Sequence, residues 1–518
     1  MKQIDHYILL PMQPTPNGRL HIGHIAGPYL QADILSRALK REGHAVTLAC
    51  GSDAWENWVV LAATQAKMDP TTFAREKSAQ IRDDLSKINI LPSIWVDPVS
   101  DEHRDSYGLS HEQFLQRMIG IGACQRIPEQ MARSIATGKY VIGTWITGKC
   151  PECKCDVAGN SCVRCGAGFQ PNEIIDPKSR IDESGLEWVS TPAYFVEASN
   201  PHEILRALKE AGVAERYLRI VQRHLQRSKF VRLSQPGDWG IKSELIGAEN
   251  VLTNTYFGFC RYLIDLVSRN FEAKEGAETP ESNIEIVALF GMDNAGVGLV
   301  APAVLSLASS SKLLFDTIVV NSLLHFEGSK CSTSRKHGIW IAEVFGEDII
   351  TADELRFCLS QISLDLETFD ITIDFIVERV NLLRNWIRAR VIPSLMDLPD
   401  EFKISMTKKL TAAFAAQRAF LRPKNFNREL ACQIFIDWMH QESSSNACWL
   451  YGVAILGCPF LPHLTASIWE SLGLAGEIRV TEFSGLVCSK RNVTVQNFEW
   501  DLTADKLTSI CHISKSEI

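Results

Sequence analysis

Apolar runs of strand length alternate with helix-period stretches at the start of this chain. Residues 6–12, HYILLPM, read as a buried strand. The loop Pro14-Thr-Pro-Asn-Gly18 follows, and from His24 to about Arg41 apolar residues recur at helical spacing. Ala45–Cys50 is a second strand that ends at Gly51-Ser52-Asp53. Strand, helix, strand predicts a βαβ unit, hence an α/β fold with a parallel sheet and sites at the carboxyl ends of its strands. The pattern returns at Ile284–Phe290, which ends at Gly291-Met292-Asp293; a small-residue apolar helix and a further strand, Phe315–Leu323, follow. The sheet is therefore split by an insertion of little helical periodicity. Beyond residue 352 long amphipathic segments (353–366, 372–391, 405–421, 427–440, 446–472) predict a helical bundle. The predicted segments are 1–115 and 231–351 for the two halves of the α/β domain, 116–230 for the insertion and 352–480 for the bundle. Residues 481–518 form an extension to which no fold is assigned.

Composition narrows the class. With 518 residues and 46% hydrophobic content the chain is long enough for several packed domains, and 22% charged residues argues against global disorder. A net charge of -8 neither advertises nor excludes a nucleic-acid partner, because a basic groove can sit on an acidic protein. The most lipid-like stretch, Ala295–Leu307, is too short to span a bilayer and is expected to be a buried helix. The start, MKQIDHYILLPM, lacks a signal-peptide pattern. Fifteen cysteines, an odd number, then point to reduced thiols in the cytoplasm, with no membrane partner.

Four of those cysteines need a separate account. Cys150-Pro-Glu-Cys153 and Cys162-Val-Arg-Cys165 are two C-x-x-C turns eight residues apart. That spacing suits one tetrahedral zinc held by four thiolates, a structural site because no position is left open for catalysis. Cys155 is expected to be a bystander.

His21-Ile22-Gly23-His24 lies where the first strand becomes the first helix. That junction aims backbone N–H groups and the helix's positive end at an anion, and Gly23 permits close approach. Alone, an H-x-G-H motif is more often a pair of capping and packing histidines. Its flanks extend the signal: Pro14-Thr-Pro-Asn-Gly-Arg-Leu-His-Ile-Gly-His24 resembles the HIGH signature of class I aminoacyl-tRNA synthetases, with flanks most similar to methionyl-tRNA synthetase. Glu327-Gly-Ser-Lys-Cys-Ser-Thr-Ser334 resembles the partner KMSKS loop, with Lys330, Ser332 and Ser334 matching. Residues 150–179 resemble that family's zinc knuckle. The resemblance covers about residues 1–475 and implies a Rossmann-type catalytic domain split by a zinc-bearing connective insertion, followed by a helical anticodon-binding-like bundle. It further implies that His21, His24 and Lys330 act on ATP phosphates, and that Pro14, Gly23, Asp293, Ser332 and Ser334 contact ATP. Met12, Asp53, Leu252 and Tyr256 are the implied amino-acid contacts, with Asp53 on the ammonium. ATP is the implied substrate and magnesium its expected companion, beside structural zinc.

The departures gather at substrate-contacting segments. Cys331 and Thr333 replace the Met and second Lys of the family loop, while Arg335 and Lys336 follow at once. After Asp53 the family continues with a His-Gly pair where this chain has Ala54-Trp55-Glu56-Asn57, and its Gly-Lys-Asp ends here as Met292-Asp293. The segment lining the family's methionine pocket is Leu252-Thr-Asn-Thr-Tyr-Phe-Gly-Phe259, without its Trp, and an active-site Arg is absent near Ser234-Gln235-Pro236. On the bundle, Asn381, Arg384 and Asn385 stand in a different register from the family's anticodon readers. The expected activity is activation of an amino acid other than methionine as its adenylate, with transfer to an acceptor that need not be tRNA, such as a small-molecule amine. A divergent methionine–tRNA ligase and an inactive tRNA- or nucleotide-binding paralogue are the alternatives.

Overall fold

The computed structural model describes residues 4–513, apart from 163, 166, 276–282, 311, 334, 347–348, 366, 481–484 and 497–499. A five-stranded sheet is formed by β1 (His6–Pro11), β2 (Ala45–Gly51), β3 (Ile94–Val96), β4 (Ile284–Gly291) and β5 (Thr317–Asn321). Every pairing is parallel and the order is β5-β4-β1-β2-β3. Each residue of β1 is buried, which is why it reads as a continuous apolar run. The chain winds outward from β1 to β3 and then from β4 to β5 on the other side. The reversal between β1 and β4 opens a crevice at their carboxyl ends.

The helix after β1 begins at Ile22, widens into a π-turn over Ile25–Tyr29 and continues as Leu30–Arg41. Pro28, which lacks an N–H, lies in that turn. Ten of the twelve residues from Leu30 to Arg41 are buried, because the sheet covers one side and the bundle the other. Buried arginines fasten these layers. Arg356 has no exposure and donates to Asp33 at 2.6 Å and to the Pro459 carbonyl at 2.8 Å. Arg428 donates to the carbonyls of Ala26 and Ile362 at 2.5 and 3.1 Å. Removing either carboxylate or carbonyl partner would strand a buried cation, a costly defect.

Three readings change. The insertion contains two amphipathic helices, Pro201–Glu210 and Glu215–Arg227. Their apolar positions, Ile204 and Leu208, then Tyr217, Leu218, Val221 and Leu225, are diluted by charged residues, so the period is weak in any long window. The stretch 446–472 is two helices, Asn446–Gly457 and Pro462–Ser471, because Pro462 starts a helix rather than continuing one. The extension is tied down: Leu486–Ser489 pairs with Glu401–Ile404, and Cys511–His512 pairs with Gly338–Ile339. Among the described residues no helix is long and apolar enough to cross a membrane.

Candidate active site and metal centre

The turn after β1 places His21 and His24 side by side. Their rings stack at 3.7 Å between centroids, and the His21 backbone N–H donates to His24 Nδ1 at 3.3 Å. Burial pushes the His24 imidazole down to about 4, and burial, then the neighbouring His24, holds His21 well below its ordinary value. Both rings are neutral at pH 7 and offer N–H groups rather than charge. An unfolded histidine protonates near 6.5, so the unfolded chain binds the extra proton between pH 6.5 and about 4, and stability is lost as pH falls through that window. Urea unfolding of His24→Gln at pH 7 and pH 5 should show a smaller acid-induced loss than the parent, by about 1–2 kcal/mol. An identical loss in both proteins would mean that His24 titrates normally.

The Lys330 loop closes over this turn. Leu324–Phe326 and Ser329–Lys330 form a hairpin that turns at Glu327 and Gly328, where φ is 46° and 81°. The Asp370 carboxylate accepts the Gly328 N–H at 2.9 Å and pins the turn. Lys330 Nζ lies 3.1 Å from Asp293, at the end of β4. Two residues singled out separately in the sequence thus meet across the crevice. A Cβ on Gly23 would sit 2.8 Å from Cys331 Cβ, and one on Gly18 2.7 Å from Thr333 Cγ2, so both glycines are needed for loop and turn to touch. Ser332 Oγ accepts the Arg335 N–H at 3.4 Å, and the Arg335 guanidinium donates to the Lys330 carbonyl at 3.3 Å. Arg335 therefore braces its own loop. Ser334 lies outside the described residues.

The other side of the crevice is acidic. The Asp53 N–H donates to the Pro14 carbonyl at 2.9 Å, and its carboxylate accepts the Thr255 hydroxyl at 3.2 Å. Burial, then the neighbouring Glu56 carboxylate, pushes Asp53 well up, and burial raises Glu56 too. Trp55 packs on Trp239 with centroids 5.0 Å apart, and Trp239 Nε1 donates to the Ala54 carbonyl at 2.9 Å. This pair supplies aromatic surface beside Asp53. The Met12 carbonyl accepts the Tyr29 hydroxyl at 3.0 Å. Leu252 lies on a strand paired to Ser234–Pro236 and lines a small apolar cavity with His111 and Phe114, while Tyr256 packs edge-on to Phe290. Asn254 takes φ 59° and a helix starts at Thr255, so the chain turns there and delivers Thr255.

The four knuckle cysteines converge in the insertion, with all their sulfurs within 4.8 Å of one another. Cys150 and Cys165 are 3.8 Å apart and Cys153 and Cys162 3.5 Å. Tetrahedral zinc with Zn–S bonds of about 2.3 Å requires sulfurs about 3.8 Å apart, so the set fits. The Cys155 backbone N–H lowers the Cys153 thiol, while burial raises those of Cys162 and Cys165. Cys155 stays outside the group, its sulfur accepting from Arg164 at 2.8 Å.

A family model described as tRNA synthetases class I (M) matches residues 9–386. The chain belongs to that family. The methionine–tRNA ligase of Cytophaga hutchinsonii is 26% identical over 91% of this chain and 75% of its own length. That of Porphyromonas gingivalis (strain W83) is 27% identical over 72% of this chain and 55% of its own length. The chain thus spans between half and three quarters of these relatives. A solved structure of Mycobacterium tuberculosis methionyl-tRNA synthetase in complex with methionyl-adenylate matches with a TM-score of 0.64 at 16% identity, covering 92% of this chain and 95% of that one. The fold of that synthetase is therefore shared. Thr255 lies in the segment singled out from the sequence, whereas Arg216 escaped the sequence reading. Arg216 reaches from the insertion to Ser322 at 3.1 Å and Met292 at 3.8 Å, beside Asp293. Arg216 sits in no motif; only long-range packing brings it to the crevice.

Proposed function

We propose that this synthetase relative activates an amino acid with ATP, as an aminoacyl-adenylate with release of pyrophosphate, and passes the acyl group to an acceptor other than tRNA. In this reading segments 1–115 and 231–351 form the catalytic domain, with 116–230, 352–480 and 481–518 the insertion, bundle and extension, and the enzyme works in the cytoplasm. The neutral N–H groups of His21 and His24 and the backbone at Gly23 receive the phosphates, as the positive end of the helix favours. Lys330 exchanges Asp293 for the departing pyrophosphate, and Ser332, with Pro14 on the opposite wall, borders the nucleotide. Magnesium accompanies ATP. Asp53 holds the amino acid's ammonium, which leaves the carboxylate free to attack the α-phosphorus. Positioning and charge stabilisation then carry the step.

The acceptor reading rests on one observation, the occupation of the bundle helix Ile373–Trp386 by the chain's own extension. Asn381 Nδ2 donates to the Leu502 carbonyl at 2.9 Å, and its Oδ1 accepts the Leu502 N–H at 2.7 Å. Arg384, fully buried, pairs with Glu354 at 2.7 Å and donates to the Trp500 carbonyl at 3.1 Å. Bases are read by free donors and acceptors, and here those of Asn381 and Arg384 are consumed. Pyrophosphate exchange without tRNA, together with no charging of total tRNA, is the expected result. Charging of tRNA with methionine would restore the ordinary ligase reading, and absence of exchange with any amino acid would favour a binding paralogue.

A further inference from the structure

We propose that Trp340 is a positioning residue for His21, and that the chain's own extension holds Trp340 in place through His512. This rests on the adenylate reading above and adds a residue to its phosphate side. Nδ1 of His21 is buried without a partner, so the ring is oriented by what packs on it. His24 stacks on one face at 3.7 Å between centroids. Trp340 meets the same ring in a T-shaped contact, with centroids 5.9 Å apart and planes at 86°. The two residues also face each other in an antiparallel backbone bridge, and the Ile341 N–H donates to the Leu20 carbonyl at 3.1 Å. Trp340 therefore fixes both the backbone and the ring of His21.

The extension closes on Trp340 from the other side. Gly338–Ile339, immediately before it, pairs antiparallel with Cys511–His512. The His512 ring makes a T-shaped contact with Trp340 at 5.0 Å, and its Nε2 lies 2.9 Å from the Glu343 carboxylate. An exposed ion pair of this kind contributes little by itself. The extension is anchored instead by the buried Leu502, Leu507 and Ile510 and by the paired hydrogen bonds between Asn381 and Leu502. The strand so clamped is also the exit of the Lys330 loop. His337 Nε2 donates to the Phe326 carbonyl at 2.7 Å, and a Cβ on Gly338 would lie 3.7 Å from His21 Cβ. One short strand thus borders the phosphate turn, ends the catalytic loop and carries the extension. A small displacement of a group that must meet a transition state costs rate while ground-state binding survives.

The test uses the full chain and the variants Trp340→Leu, Trp340→Phe and His512→Ala. Pyrophosphate exchange gives kcat and KM, and hydrogen exchange read by mass spectrometry gives local protection. Trp340→Leu should lower kcat by roughly 10-fold or more while the KM for ATP stays within about 2-fold, and Trp340→Phe, which keeps an aromatic edge, should recover most of the rate. In Trp340→Leu and His512→Ala amide exchange should accelerate over 20–27 and 329–340, while β1 and the strand Cys124–Ser134 keep the parent's protection. A parent-like kcat in Trp340→Leu overturns the proposal. Protection lost evenly along the chain also overturns it, because it marks a merely structural tie. A parent that shows no pyrophosphate exchange with any amino acid removes the adenylate reading, and hydrogen exchange then decides alone. Local acceleration in both variants keeps the positioning role, and unchanged protection ends it.

Discussion

Lys330→Ala is expected to slow amino-acid-dependent ATP–pyrophosphate exchange by about 10²-fold or more, the scale seen when one electrostatic stabiliser of a transition state is lost. That corresponds to roughly 2.7 kcal/mol of barrier. The geometry explains why one lysine matters so much. It stands on a hairpin turned by Glu327 and Gly328, the buried Cys331 locks the loop onto Gly23, and Asp293 holds the ammonium at 3.1 Å across the crevice. Because Thr333 stands where the family has its second lysine, and Arg335 is turned onto the Lys330 carbonyl, Lys330 is the cation this loop presents to Asp293. His24→Ala should give a loss of similar size by removing a neutral donor from the phosphate side. Its effect should fall mainly on kcat if the contact tightens only in the transition state. Parent-like exchange rates in both variants would place the nucleotide elsewhere.

Cys162→Ser should strip zinc from the insertion and unfold its knuckle. Structural zinc in small Cys-rich modules contributes apparent binding energies of about 10–16 kcal/mol, far more than the apolar core around this one can replace. That core holds eight buried residues, two of them the ligands Cys150 and Cys162. The knuckle also supports its surroundings, since Arg227 pairs with Glu152 next to Cys153 and with Glu173 at 2.7 Å. Elemental analysis should find one zinc per parent chain and markedly less in the variant, with faster proteolysis between 124 and 197. Freshly purified, reduced parent protein without zinc would sink the assignment.

The sequence by itself carried everything that depends on short spacing. β1, β2, β4 and β5 were each visible as buried apolar runs, because strands covered on both faces cannot hide their composition. The paired C-x-x-C turns and the H-x-G-H turn were visible because a metal or a phosphate needs its ligands within a few residues on one local scaffold. Asp53 was visible as a strand end. What the sequence could not decide was every relation across hundreds of residues. Lys330 meets Asp293, Thr255 meets Asp53, and Arg216 meets Ser322 because the sheet order folds distant loops over one crevice. Leu252 and Tyr256 are both buried, on either side of the turn that a left-handed Asn254 and the helix start at Thr255 make. The extension had too little periodicity to betray a fold, because beyond the short helix Ala504–Thr508 it gains its structure from partners. Leu502 is ordered by Asn381, and Cys511–His512 by the edge of Gly338–Ile339. A segment held chiefly through bonds to other elements, with a single short helix of its own, leaves little pattern in its sequence, and only the tertiary structure shows what it covers.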